Sequence, residues 1–226
     1  MKPIIEIYSS LECPYAYLVN YRLRQVWPEY AGELTITWRA LSLEYINQVG
    51  NSRSTFDAER ELFARIDPGL PMKPWRRPAW DWPVTLWPAF EALACAQAQS
   101  SEAAFEMSWA LRDAFLADGR NIALRHELLL VAAQVARQTS LDIDRFITDW
   151  DSGHYKHRVL KESMHGWHTL KVEGSATLVL PDGSQSTNPS IAALEPSSST
   201  QTDLPRLAPS GIPLDELRLL LQRALV

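Results

Sequence analysis

The chain has 226 residues, 46% of them hydrophobic, with 22 Lys and Arg against 27 Asp and Glu and a formal charge of −5. That is enough apolar material for a sizeable core, as one large domain or a domain with an insertion, and the acidic balance speaks against nucleic acid or an anionic membrane surface as a partner. No stretch of about 18 apolar residues could span a bilayer, and Met1-Lys2-Pro3-Ile4 runs straight towards a strand with no apolar leader, so the expected location is the cytoplasm.

The first predicted strand, Ile4-Ile5-Glu6-Ile7-Tyr8, has the β-branched composition of a buried strand, and Ser9-Ser10 breaks it. Cys13 then falls where a helix begins. Pro14 suits the first helical position, where its missing N–H would be unpaired anyway, and Ala16, Tyr17, Leu18, Tyr21 and Leu23 supply an apolar face. A thiol there meets free N–H groups and the positive end of the helix dipole, so the Cys13 pKa is expected below the ordinary thiol value, although Glu12 beside it acts in the opposite sense. The helix should fade near Trp27-Pro28, and Glu33-Leu34-Thr35-Ile36-Thr37-Trp38-Arg39 alternates as a second strand.

From about Ser54 to Leu170 the pattern is helical, with helices predicted over Phe56 to Ile66, Leu86 to Ala98, Ala103 to Leu116, Ile122 to Gln138, Ile143 to Trp150 and Tyr155 to Met164. Asp67-Pro68-Gly69 and Asp118-Gly119 punctuate them. Inside this region the prolines of Lys73 to Pro83 exclude a regular helix. The tryptophans Trp75, Trp80, Trp82 and Trp87 there either line an apolar groove or pin the segment to the helices. Strand character returns at Ser175 to Leu180, followed by a Pro181-Asp182-Gly183 turn. Ser186 to Ser190 leads towards the end of the sheet, Glu195 to Pro213 has the Ser, Thr and Pro content of a flexible surface loop, and Leu214, Leu217, Leu220, Leu221, Ala224 and Leu225 mark an amphipathic closing helix that should cover the sheet.

Two cysteines do not make a disulfide framework. Cys95, in an Ala-rich helix, is read as a small buried hydrophobe, with a resolving role through space as its alternative. His154, His157, His165 and His168 form two i, i+3 pairs that would lie about 16 Å apart on one continuous helix, too far to share an ion, so they are read as solvated or locally bonded and no metal is expected. One of them could still act as a base for Cys13. No phosphate-binding glycine loop, nucleophile elbow or dinucleotide fingerprint is present.

The strand, the short loop and the helix opening Cys13-Pro14-Tyr15-Ala16 resemble the thioredoxin fold of the DsbA family, with its FrnE-like and 2-hydroxychromene-2-carboxylate isomerase-like branches. The resemblance implies an α/β fold with parallel first strands. It places a thioredoxin-like domain at residues 1–53 and 171–226 and a helical insertion domain at 54–170. Dithiol members carry C-P-x-C; here Ala16 stands where the resolving cysteine would be. The isomerases and the kappa-class glutathione transferases look similar but carry serine at the position of Cys13. The family's cis-proline loop, Gly-x-Pro-Thr, corresponds to Gly174-Ser175-Ala176-Thr177, and since a cis bond without proline costs about 2.5 to 4 kcal/mol, the Ser175-Ala176 bond is expected to be trans.

The candidate catalytic residues are therefore Cys13, Pro14 and Tyr15, with Tyr15 either a hydrogen-bond donor or a packing group. The candidate substrate-binding residues are Ser10, Ser175, Ala176, Thr177, Trp80 and Trp82. The leading expectation is a thiol–disulfide oxidoreductase acting through one cysteine on a protein or small-molecule thiol or disulfide, with an external thiol such as glutathione resolving it and no tightly bound cofactor. The alternatives are a glutathione-dependent isomerase or transferase, for which Ser186 to Ser190 offers no clear peptide-holding match, and a non-catalytic binding protein using the tryptophan segment. Homodimers are common in the resembling families.

Overall fold

A computed structural model describes residues 2–191, 194–195, 206–207 and 213–226. Its sheet has four strands in the order β2-β1-β3-β4, with β1 at Ile4–Ser9, β2 at Thr35–Ala40, β3 at Thr177–Val179 and β4 at Gln185–Thr187. β1 runs parallel to β2, pairing Ile5 with Ile36 and Ile7 with Trp38, and antiparallel to β3, pairing Ile7 with Leu178. β3 turns into β4 through Pro181-Asp182-Gly183, where Gly183 adopts φ +82°, a conformation open to glycine. The predicted loop from Glu195 to Pro213 lies mostly outside the described residues. Where residues of it are described, a two-residue ladder pairs β5 (Leu194–Glu195) with β6 (Arg206–Leu207), strand pairing that the loop composition did not announce.

Alternation along β1 divides the sheet into two faces. Ile5 and Ile7 join Ile36, Trp38 and the helices in the main core, and each such fully buried side chain contributes about 1.5–3 kcal/mol. Glu6 and Tyr8 point the other way. α1 (Pro14–Val26) covers the first face with Ala16, Tyr17, Leu18, Val19, Leu23 and Val26 and ends in a 3-10 turn at Trp27–Glu29, where the prolyl residue was expected to stop it.

Between β2 and β3 the chain is helical: α2 (Leu43–Asn47), α3 (Arg53–Ile66), α4 (Trp87–Gln97), α5 (Ser101–Arg112), α6 (Arg125–Ala136), α7 (Ile143–Asp151) and α8 (Lys156–Met164). α4 is buried from Ala89 to Ala96, and its alanines let α5, α7 and α8 pack closely around it. Among the described residues, α2 and the pairing of β4 have no counterpart in the expected elements, and the helix expected from Ile122 starts at Arg125. α5 and α8 each run on into a π turn, at Asp113–Ala117 and His165–Thr169. The second π turn lies against the far face of the sheet, where Tyr8, Leu41 and Val172 form a small cluster of their own. α9 (Pro213–Arg223) buries Leu217, Leu220 and Leu221, the apolar face its pattern predicts, and its main partner is α1 where the sheet was the expected one.

The outer edge of β2 is not left bare. The Trp38 N–H donates to Gln97 Oε1 at 2.6 Å, and the Ala40 N–H donates to Glu162 Oε2 at 3.2 Å. No helix among the described residues is long and apolar enough to cross a membrane.

Candidate active site around Cys13

β1 ends at Ser9, and Ser10 to Glu12 carry the chain over the end of the sheet to Cys13, the N-cap of α1 (φ −79°, ψ 119°), with Pro14 at the first helical position. The Cys13 carbonyl accepts the Tyr17 N–H at 3.0 Å and so closes the first turn. The thiol is 7% exposed, and its S–H donates to the Ser175 carbonyl at 3.2 Å. Residues far apart in the chain are thus joined; a second bond joins the same two loops, and two more hold the Ser175 loop itself. The Ser10 N–H donates to Ser175 Oγ at 2.7 Å, the Asn188 N–H donates to the Ala176 carbonyl at 2.7 Å, and Thr177 Oγ1 donates to the Gly174 carbonyl at 2.7 Å. Ser10 Oγ donates in turn to the Glu12 carboxylate.

Two expectations are corrected here. The Ser175-Ala176 bond is cis, not trans. The expectation weighed the local amide alone, whereas this loop is fixed by the tertiary hydrogen bonds just named. The Cys13 pKa is also not depressed: burial pushes the thiol up to about 11, and the charges of Glu59 and Glu12 add to the effect. The Ala16 N–H and the Ser175 side chain favour the thiolate without overcoming the loss of solvation.

Burial also raises the Glu12 carboxyl, which is 2% exposed. Glu59 comes from α3, on the face whose flanking members Phe56 and Phe63 are fully buried; burial pushes it up to about 7, with Glu12 adding to the shift. The Tyr15 ring packs edge-on against Phe63 with centroids 4.8 Å apart, and burial, Glu59 and Cys13 all raise its hydroxyl pKa. Beneath the loop lies Arg112, fully buried at the end of α5, with Nη2 donating to Ser9 Oγ at 2.6 Å and to the Ser10 carbonyl at 3.3 Å.

The structure brings Ser10, Cys13, Pro14, Tyr15, Ser175, Ala176 and Thr177 into one constellation. The tryptophans divide. Trp75 is buried and meets Trp82 at 4.9 Å, and Trp82 also packs on Phe56 and Phe115 while its Nε1–H donates to the Asn51 carbonyl. The segment is therefore pinned by its own aromatics, and Trp82 reaches the site only through a small cavity that it lines with Glu12, Glu44 and Phe115. Trp80 is 84% exposed and stands apart.

Cys95 is fully buried in α4 and its thiol is pushed up to about 12 by burial, as befits a small core residue. His168 is locally bonded, with Nε2 3.0 Å from the Tyr45 hydroxyl. A cavity of about 590 Å³ lies on the opposite face of the sheet, between Tyr8, Arg39, His165 and His168, and shares no residue with the thiol site. Sequence reasoning missed Glu59 and Arg112. Glu59 left one trace, an acid at the i+3 position from Phe56 on an apolar helical face; Arg112 left none, because the bonds that tie it to the Cys13 loop reach Ser9 and Ser10, about 100 residues earlier in the chain.

A family model for the DSBA-like thioredoxin domain matches residues 4–195. No curated protein matches the chain in sequence. Among solved structures, a protein disulfide isomerase candidate from Nitrosomonas europaea is 17% identical with a TM-score of 0.66, covering 99% of this chain and 97% of its own. The cytosolic disulfide reductase DsbM from Pseudomonas aeruginosa is 19% identical with a TM-score of 0.64, covering 81% and 87%. A 2-hydroxychromene-2-carboxylate isomerase is 20% identical with a TM-score of 0.56, also covering 81% and 87%. At such identities the likeness is one of fold.

Proposed function

The chain belongs to the family of DSBA-like thioredoxin domains, and from that premise we propose that it is a thiol–disulfide oxidoreductase working through Cys13 alone. The observation that carries this reading is the Cys13 thiol at the start of α1, held 3.2 Å from the Ser175 carbonyl of the facing loop. Ala16 follows where an intramolecular partner would have to stand. In the first step the Cys13 thiolate attacks one sulfur of a substrate disulfide; a Cys13–S–S bond forms, the substrate S–S bond breaks, and the other sulfur leaves as a thiolate that takes up a proton. In the second, an external thiolate of the glutathione class attacks the Cys13 sulfur of the mixed disulfide, so the remaining substrate sulfur leaves as a thiolate and Cys13 carries glutathione; a second such thiolate then attacks the glutathione sulfur, frees Cys13 and leaves as glutathione disulfide, so the two electrons that reduce the substrate come from two thiols in solution. Burial pushes the thiol up to about 11, so at neutral pH the resting site favours the thiol and the anion needs further support when substrate arrives. A reducing, glutathione-containing cytoplasm suits this cycle, and the Pseudomonas neighbour, whose structure has also been solved with glutathione, is described as cytosolic.

A second reading has its own support: the Cys13 S–H is a hydrogen-bond donor in the resting site and stays protonated. A donor of that kind could hold the thiolate of bound glutathione, as a serine hydroxyl would, in an isomerase or transferase. Cys13→Ser separates the two. Under the exchange reading the protein takes up one glutathione from glutathione disulfide, seen by intact mass, and the serine variant takes up none and loses all turnover. If the serine variant keeps its activity and calorimetry detects saturable glutathione binding, the exchange reading is wrong and the second stands.

A further inference from the structure

Arg112 carries a positive charge into the core directly beneath the Cys13 loop, with no anion within ion-pair distance among the described residues. All its partners are neutral. Nη1 donates to the Ser108 carbonyl at 2.9 Å and to Ser108 Oγ at 2.6 Å, Nη2 donates to Ser9 Oγ and the Ser10 carbonyl, and the guanidinium carbon lies 5.4 Å from the centre of the Trp38 ring. Nε has no hydrogen-bond partner among the described residues. A buried cation held only by dipoles is costly unless a negative charge forms near it. Burial lowers the Arg112 pKa to about 10, and the acids whose charge opposes that loss are Cys13 and Glu12. Asp113, the next residue, is turned to the Tyr17 hydroxyl instead. Glu59 on α3 faces Cys13, and Glu44 on α2 faces Glu12.

We propose that Arg112 is the charge partner of the Cys13 thiolate: a positioning residue, supplied by α5, that makes the anion tenable while the thiol stays protonated at rest. One guanidinium faces two ionisable acids, so the pocket balances a single negative charge. Carried by Glu12, that charge leaves Cys13 as a thiol. Carried by Cys13, it makes the nucleophile. The Ser9 and Ser10 bonds fix the cation to the very loop that bears both acids. The proposal rests on the exchange reading of Cys13, but it concerns ionisation alone and is tested without turnover.

The test is the rate of Cys13 alkylation by iodoacetamide in the folded protein, followed by peptide mass over a range of about pH 8 to 9.5, where the rate tracks the thiolate fraction. Arg112→Gln should slow alkylation by tenfold or more, since an opposite charge close to an acid is worth about one to three pKa units. Arg112→Lys, which keeps the charge and loses the fork, should stay within about threefold of the parent. A folded Arg112→Gln that reacts at the parental rate overturns the proposal. So does a folded Arg112→Lys slowed by tenfold, because the fork rather than the charge would then be what matters; the lysine variant decides alone should the glutamine variant not fold. A protein that shows the expected alkylation pattern yet forms no mixed disulfide with glutathione disulfide would sink the exchange reading and leave the ionic pairing in place.

Discussion

Glu59 shows how a single carboxyl can tune a thiol that it does not bond. Its folded pKa of about 7 lies above the ordinary 4.5, so between those values it is protonated in the fold and ionised in the unfolded chain. The unfolded state then binds fewer protons, and stability must decline as pH rises from about 4.5 to about 7, levelling beyond. Glu59→Gln removes that penalty. After allowing for solvent screening of a part-exposed group, the variant should be more stable than the parent by about 1 kcal/mol near pH 8 and should match it near pH 4, as urea midpoints would report. It also takes an anion away from Cys13, so alkylation above about pH 7 should speed up. A parent and variant with the same pH profile would mean that Glu59 is better solvated than its place between Phe56 and Phe63 indicates.

At the scale of elements, the strand, thiol and helix that open the chain are legible in the sequence because the signals there are local: a β-branched run, a serine break and a proline at the first helical position. The helices from Phe56 to Met164 are legible for the same reason. The Cys13 ionisation and the Ser175-Ala176 geometry are not, since both are set by groups that arrive from elsewhere in the chain. The π turn at His165–Thr169 carries a further local demand. A Cβ on Gly166 would come within 2.8 Å of Tyr8 Cδ1 and Leu41 Cδ1, and neither a ring fixed on β1 nor a buried leucine can yield freely. Gly166→Ala should therefore cost about 1–3 kcal/mol of stability in urea unfolding while leaving the first face of the sheet, and with it Cys13 reactivity, unchanged.

Across the whole molecule, the sheet half and the helical half are joined by polar contacts between α1 and α5 as well as by the shared core. The Tyr17 hydroxyl donates to Asp113 Oδ1 at 2.9 Å, Asn20 Nδ2 donates to Ser108 Oγ at 2.9 Å, and Arg24 forms a two-pronged pair with Glu106. Tyr17→Phe leaves a part-buried acid without its donor and should lower stability by about 1–2 kcal/mol at neutral pH, read from the urea midpoint at unchanged slope. That the helical stretch interrupts a thioredoxin-like sheet is legible only through the family resemblance, because periodicity can announce helices but not which strands they separate. The closing helix is the exception: its apolar spacing foretells a buried face, and α1 receives it.

The covered border of β2 has a consequence for how this protein can associate. With the Trp38 and Ala40 amides already occupied by Gln97 and Glu162, the strand offers an incoming chain no ladder to extend at those positions. Fusion of two such sheets edge to edge along β2, the route by which exposed strands polymerise, is blocked there by two side chains.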